Sequence, residues 1–355
     1  MNLDCLAQRL PDGAGQGELL DALTRLIEDA DEIVVCAHTN PDGDALGSGL
    51  GLSQLIEARW PDKHVVNMLA DNGIEVPRIY AFLPGADGFV HPDGYRFIPD
   101  LFICVDLPSA DRLGNARGVM ERAHATAVVD HHPAELPFAD VQLNRTSAAA
   151  AGVLVAEYAA RLGVPLTSAM ATNLLCALVT DTGRFQYQNA DPEAFAVASA
   201  LVDAGANPAD VALHVYQSFR QEYLHLQALV LGRVTTFDRG RIAYSYCQLS
   251  DLQRTGARQD ECDGLVDIVR TVDGAEVCLF LKETEGGKIR GNLRSKGVHD
   301  VSGIAHAMGG GGHRAAAGFS ATGSIDEVLD VVLPMLRALV DGGPADTTFM
   351  KALRV

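Results

Sequence analysis

The chain has 355 residues, 48% of them hydrophobic, enough for two domains with separate cores. Asp and Glu outnumber Lys and Arg by 46 to 28, giving a net charge of −18. So acidic a surface serves solubility and argues against binding along a nucleic-acid backbone, which needs clustered cations. An anionic substrate has to be short and held by metal or by a local positive site.

In chain order, the first 30 residues read as a helical lead-in, helical from Gly17 to Ala30. They lack a basic stretch followed by an apolar one, so no secretory signal is expected. The apolar run at 32–37 reads as a buried parallel strand, and residues 45–58 as a helix. Further strands are expected at 65–69, 101–105 and 126–129, with helical patterns between several of them. That alternation predicts a parallel sheet with helices on both faces. Residues 147–162 and 168–180 read as long buried helices, and 191–231 as helical throughout, with a break at Gly205 and Pro208.

The texture then changes. Runs at 231–237 and 242–247 flank Asp238-Arg239-Gly240, and runs at 277–282 and 288–293 flank Glu285-Gly286-Gly287, two hairpin signals. A helix at 325–340 closes the pattern. The fold class expected is α/β: a parallel-sheet domain (residues 1–190), a helical connector (191–230) and a smaller α+β domain on an antiparallel sheet (231–345). The active site is expected in the cleft between the domains. The seven Cys form no CxxC pair, and Cys36, Cys104, Cys176 and Cys278 lie inside apolar runs. They read as small core residues in a reducing compartment. No apolar run reaches spanning length. The expectation is a soluble cytoplasmic protein with no membrane partner.

Polar groups appear abruptly where these apolar runs stop. His38, Asp42 and Asp44 stand in HTNPDGDALGS, between a strand and a helix, where ligands bind in open α/β sheets. Asp106 and His131 each follow a strand, and Asp181 meets a Gly turn at a helix end. Each position alone reads equally well as a cap or a surface turn. Six together do not, because an unpaired buried charge is costly and a cation is the simplest partner. Carboxylate and imidazole donors suit Mn²⁺ or Mg²⁺, and six suffice for two hexacoordinate ions with waters left over.

HTNPDGDALGS, VDLPSADRLG, VVDHHP and TDTGRF resemble the four motifs of the DHH phosphoesterases. GNLRSK and GGGGHRAAAG resemble the signature of the DHH-associated C-terminal domain. The resemblance runs from about residue 20 to residue 340, and it is nearest to the bacterial nanoRNase and pAp phosphatase branch. It implies a two-metal phosphoesterase acting on very short RNA, on pAp (3′-phosphoadenosine 5′-phosphate) and, in some members, on linear or cyclic di-adenylates. It implies that His38 and Asp42 hold one Mn²⁺, that Asp44, His131 and Asp181 hold a second, and that Asp106 bridges both. Asp130 would orient neighbouring imidazoles, and His132 would face the scissile phosphate.

Residues 282–314 carry Lys282, Lys288, Arg290, Arg294, Lys296 and Arg314 against Glu283, Glu285 and Asp300. By themselves these read as a solvated face beside a flexible Gly loop. With the resemblance they read as a clamp for the substrate's terminal phosphate and base. Arg294, Ser295, Gly310, Gly311, Gly312, His313 and Arg314 would supply it. The expected partner is a short RNA or an adenosine bisphosphate, not a long nucleic acid, and a homodimer stays open. Alternatives are a cyclic di-AMP phosphodiesterase, a manganese-dependent inorganic pyrophosphatase and a non-catalytic di-adenylate sensor.

Overall fold

The computed structural model describes residues 16–133, 136–312 and 314–342. The chain forms two compact units that divide between Ser218 and Phe219.

The first unit is a parallel sheet with helices on both faces, as expected. Helix α1 (Gln16–Asp29) leads into β1 (Glu32–Cys36), α2 (Gly43–Arg59), β2 (His64–Met68), β3 (Leu101–Val105) and the short α3 (Arg117–Met120). Then come β4 (Ala125–Asp130), β5 (Val141–Asn144), α4 (Ala151–Leu162) and α5 (Ser168–Asp181). The strand order is β2-β1-β3-β4-β5, and every pairing is parallel. Alternate residues face opposite ways. Ile33, Val35, Ile103, Val105 and Val129 join one apolar core, while Val34, Cys36, Phe102, Cys104 and Val128 join the other. Burial on both faces produces the unbroken apolar runs seen in the sequence. β5 was not foreseen. Its four residues, VQLN, form a partly exposed edge with no apolar run to reveal it.

Register sets the site. Cys36 pairs with Cys104 and Cys104 with Val128. The residues that follow β1, β3 and β4 therefore leave the sheet along one edge. Helix α2 starts two residues before the predicted span, because Asp42 caps it by accepting from the amides of Asp44 (3.1 Å) and Ala45 (3.0 Å). The backbones of α2 and α5 then pack very close. A Cβ on Gly47 would lie 2.3 Å from the Asn173 carbonyl oxygen. One on Gly51 would lie 2.6 Å from Leu174, and one on Gly43 2.5 Å from Thr180. Four-residue spacing puts all three glycines on one helix face. This contact brings the start of α2 against the end of α5, where Asp181 sits.

Helices α6 (Pro192–Asp203) and α7 (Pro208–Tyr216) complete the first unit, and α8 (Gln221–Gly232) belongs to the second. Residues 191–230 are thus shared between two cores. Val197, Leu201 and Val211 pack in the first, and Tyr223, Leu226 and Val230 in the second.

The second unit continues with β6 (Thr235–Phe237), β7 (Ile242–Cys247), α9 (Leu249–Thr255), α10 (Leu265–Val269), β8 (Val277–Glu283) and β9 (Lys288–Ser295). It ends with α11 (Ser302–Ala307), β10 (Gly311–Gly312), β11 (Ala316–Thr322) and α12 (Ile325–Val340). Both predicted hairpins form. The sheet, ordered β10-β11-β9-β8-β7-β6, is nevertheless mixed, which corrects the antiparallel expectation. Strands β7 and β8 pair in parallel, because α9 and α10 lie between them and carry the chain back to the same end. Ser324 and Glu327 close a capping box at the start of α12. The six cysteines among the described residues are free and buried. No helix among these residues is long and apolar enough to cross a membrane.

Candidate metal centre

All six predicted ligand residues converge at the carboxyl edge of the first sheet. His38 is buried, and its Nδ1 bonds the Thr39 carbonyl (2.7 Å). Nε2 therefore turns inward, 3.4 Å from Oδ2 of Asp106. Asp106 follows β3 with φ +56°, a left-handed conformation that Asp tolerates better than most residues. Its amide bonds the Val129 carbonyl at 3.0 Å, and its carboxylate is 2% exposed. His131 follows β4 and bonds the Ala148 carbonyl through Nδ1 (3.1 Å). Its Nε2 faces three carboxylates: Asp106 Oδ1 at 3.4 Å, Asp44 Oδ2 at 3.5 Å and Asp181 Oδ2 at 3.7 Å.

Asp44 is held from all sides. Oδ1 accepts from Ser48 Oγ (2.5 Å) and the Gly152 amide (3.0 Å), and Oδ2 from the Ala151 amide (2.7 Å). Those amides belong to the first turn of α4, where an anion is favoured. Asn189 fixes Asp181 from Nδ2, which reaches its carbonyl (3.1 Å), its carboxylate (3.3 Å) and the Ala149 carbonyl (3.0 Å). Asp130 and His132 also meet. His132 Nδ1 lies 2.8 Å from Asp130 Oδ1 and 3.4 Å from Asp106 Oδ1, and Asn144 Nδ2 bonds Asp130 at 3.1 Å.

Donor atoms of His38, Asp42 and Asp106 lie within 4.8 Å of one another, as do those of Asp44, His131 and Asp181, and those of Asp106, His131 and His132. Such crowding of acids has electrostatic consequences. Burial, with Asp106 and Asp181 nearby, pushes the Asp44 carboxyl well above its usual range. Burial pushes Asp181 up to about 6. His131 is held well above an ordinary imidazole by Asp106, Asp181 and Asp44, which outweigh its burial. Asp106 stays well below the usual range, because His131, His132 and His38 outweigh its burial. Asp106 Oδ1 is buried and receives no hydrogen bond of good geometry. Several carboxylates and imidazoles aimed at one another, with a buried oxygen left over, fit a divalent cation.

The second unit holds the other predicted residues. Arg294 and Ser295 end β9, as expected. Arg294 Nε lies 3.3 Å from Asp267, and Ser295 Oγ accepts from the amides of Gly297 (3.1 Å) and His299 (3.2 Å). Gly311 and Gly312 form strand β10, paired with Gly318 and Ala317. The amide of Gly310 bonds the end of α11 at Ala305 (2.8 Å), and its missing Cβ makes room for the Gly318 carbonyl 2.0 Å away. Close approach of backbone to backbone thus accounts for glycine at this position. Arg314 is exposed and bonds the Val298 carbonyl (3.0 Å). His313 lies outside the described residues.

Residues 32–178 match the DHH family, N-terminal domain, and residues 239–340 match the DHHA1 domain. A Thermus thermophilus protein named bifunctional oligoribonuclease and PAP phosphatase NrnA is 30% identical to the chain over 307 residues, 86% of this chain and 89% of its own. This chain belongs to the DHH family. A Bacillus subtilis DHH relative of the same name is 26% identical, over 84% of this chain and 92% of its own. The fold matches the crystal structure of an exopolyphosphatase-related protein from Bacteroides fragilis, with a TM-score of 0.82 and 24% identity over 92% and 96% of the two chains. The DHH-motif residues that converge here were legible in the sequence, but the groups that hold them were not. Ser48 sits four residues after Asp44, a helical spacing that gives a clue. Asn144, Asn189 and the amides of Ala151 and Gly152 reach the centre only through the fold.

Proposed function

We propose that the chain is a metal-dependent phosphoesterase that cleaves short oligoribonucleotides to 5′-mononucleotides and pAp to AMP plus phosphate. The observation that carries this reading is the convergence of two trios of ligand-type side chains, with Asp106 in one and 3.4 Å from His131 in the other. His38, Asp42 and Asp106 would hold one divalent cation, and Asp44, His131 and Asp181 a second, both Mn²⁺ in our reading. Bound there, the cations supply Lewis acidity and a water whose pKa is lowered towards neutrality.

The chain's own residues do the rest. The carbonyls of Thr39 and Ala148 hold the Nδ1 protons of His38 and His131, so that Nε2 is the ligating atom in each. Asp130 fixes His132 through Nδ1, and we assign the other edge of that ring to the scissile phosphate. Cleaving the bond between phosphorus and O3′ serves both substrates, because a dinucleotide then yields a 5′-nucleotide and pAp yields phosphate. The relatives' names support this substrate class. The second unit grips the non-reacting part of the substrate, with Arg294 as a first contact.

The test is a substrate panel with Mn²⁺, comparing pAp with RNAs from two to about twelve nucleotides. Asp106→Ala should lose turnover of every substrate, and Arg294→Ala should mainly raise KM. Full activity in Asp106→Ala would sink the proposal.

A further inference from the structure

Two thiols meet in the core of the second unit. Cys247 closes β7, and Cys262 ends a short 3-10 turn (Asp260–Cys262) between α9 and α10. They are 15 residues apart in sequence, yet Sγ of Cys262 lies 3.8 Å from Sγ of Cys247. Both residues are at most 1% exposed. Neighbouring cysteines of the first unit face elsewhere. Cys36 and Cys104 stand in register across β1 and β3, but Cys104 turns its sulfur to Met120 (3.9 Å) and Cys36 to the Ala37 carbonyl (3.3 Å). Contact between two sulfurs therefore does not follow merely from burying cysteine in a sheet.

The pair is buried but not deep. Cys262 is flanked by the exposed residues Asp260, Asp263 and Gly264. The Asp263 carboxylate, 57% exposed, pairs with Lys282, which stands in register with Cys247 across β7 and β8. Between Gly256 and Gly264 the chain forms only that one three-residue turn. Joining the sulfurs at about 2.05 Å asks Cys262 to move by about 1.8 Å, within the reach of so short a surface segment. The thiol of Cys262 donates to the sulfur of Cys247. That bond, with burial, pushes the Cys262 thiol well up, and the same donor stabilises negative charge on Cys247.

We propose that Cys247 and Cys262 are an oxidisable pair, which a peroxide converts to a disulfide inside the second unit. The Cys247 thiolate attacks one peroxide oxygen, the O–O bond breaks, and the departing hydroxide takes up a proton to become water. Cys262 then attacks the sulfenic sulfur. The S–S bond forms, the S–O bond breaks, and a second water leaves with the remaining thiol proton. Two thiols are oxidised and one peroxide is reduced to two waters. Thiol–disulfide exchange with a small dithiol reverses the step.

The test treats the full chain with hydrogen peroxide, alkylates the remaining thiols, and maps peptides by mass spectrometry. The expected product joins the peptides carrying Cys247 and Cys262, lighter by two hydrogens and separated again by dithiothreitol, while Cys36, Cys104, Cys176 and Cys278 stay alkylatable. Cys262→Ser should abolish the link and leave Cys247 as a sulfenic acid that dimedone captures. In urea-unfolded chain the selectivity should vanish among the seven cysteines. An equal yield of the same link there would trace it to nearness in sequence and overturn the site. Recovery of Cys247 and Cys262 as thiols in wild type, after the peroxide has consumed glutathione added to the same vessel, would also overturn it. Wild type alone decides that last point, so a variant that fails to fold does not shelter the proposal. None of these readouts needs hydrolysis, so the pair stands or falls apart from the activity proposed above.

Discussion

The two units set clusters of opposite charge on different kinds of scaffold. In the first, carboxylates and imidazoles cluster where parallel strands stop; His38, Asp44, Asp106 and His131 are buried, and His38, Asp44 and His131 are braced by a backbone carbonyl or amide. In the second, cations line the face of an antiparallel hairpin, and among the described residues Lys288 and Arg290 pair with no acid while Lys282 and Arg294 do. The first arrangement gives fixed donors at one point, as chemistry on a phosphate requires. The second spreads its cations along a strand face, Lys288, Arg290 and Arg294 at two-residue spacing. A rigid cluster and an open row call for different evidence, and three measurements can separate them.

The largest expected effect is structural and confined to the first unit. Arg145 lies at the end of β5 between Glu157 (3.3 Å) and Glu193 (2.8 Å), all three side chains at most 14% exposed. Arg145→Ala strands two buried acids and should cost about 3–5 kcal/mol of stability, read by denaturant unfolding. A loss no larger than that of an exposed ion pair would show this edge of the sheet to be soft. Next comes Asn189→Ala, which removes the brace on Asp181. It should weaken divalent-metal affinity by about 10–100-fold while leaving Tm nearly unchanged. Unaltered metal affinity would mean that the centre needs no outer support.

The smallest effect is in pH dependence, and its sign differs between Asp251 of the second unit and the raised groups of the first. Asp251 in the second unit is held low, chiefly by its bond to Arg233. A folded pKa below the unfolded value means stability that is present above about pH 4 and lost as pH falls through the folded pKa. Asp181 in the first unit is pushed up to about 6 by burial. A raised carboxylate pKa means stability lost as pH rises from about 4 through 6, and the raised Asp44 and His131 act in the same direction. Metal-free protein should therefore lose first-unit stability as pH rises from 4 towards 7, and Mn²⁺ should reverse the loss. Hydrogen exchange in each unit, from below pH 4 up to about 7, measures it. Parallel trends in both units would break the contrast.

Legibility follows the same divide. His38, Asp106 and His131 ended apolar runs, and a charge after a buried strand stands out in one dimension. Lys288, Arg290, Asn292 and Arg294 alternate with buried residues inside a strand, the pattern of any half-solvated sheet face. Only the pairing register shows that Arg290 lies opposite Lys282. Strand β5 was hidden because an edge needs no apolar run, and the parallel β7–β8 pair because hairpin signals say nothing about strands joined by helices. The braces Asn144 and Asn189 were hidden because hydrogen bonds across the fold leave no periodicity.

The glycine contact between α2 and α5 fixes how tolerant the centre is of sequence drift. Asp44 and Asp181 are spaced by glycines of α2 that seat against the Asn173 carbonyl, Leu174 and Thr180 of α5, so the spacing depends on side chains being absent from that face of α2. A single methyl group at Gly47 would pry the helices apart and misplace donors that were themselves left unaltered.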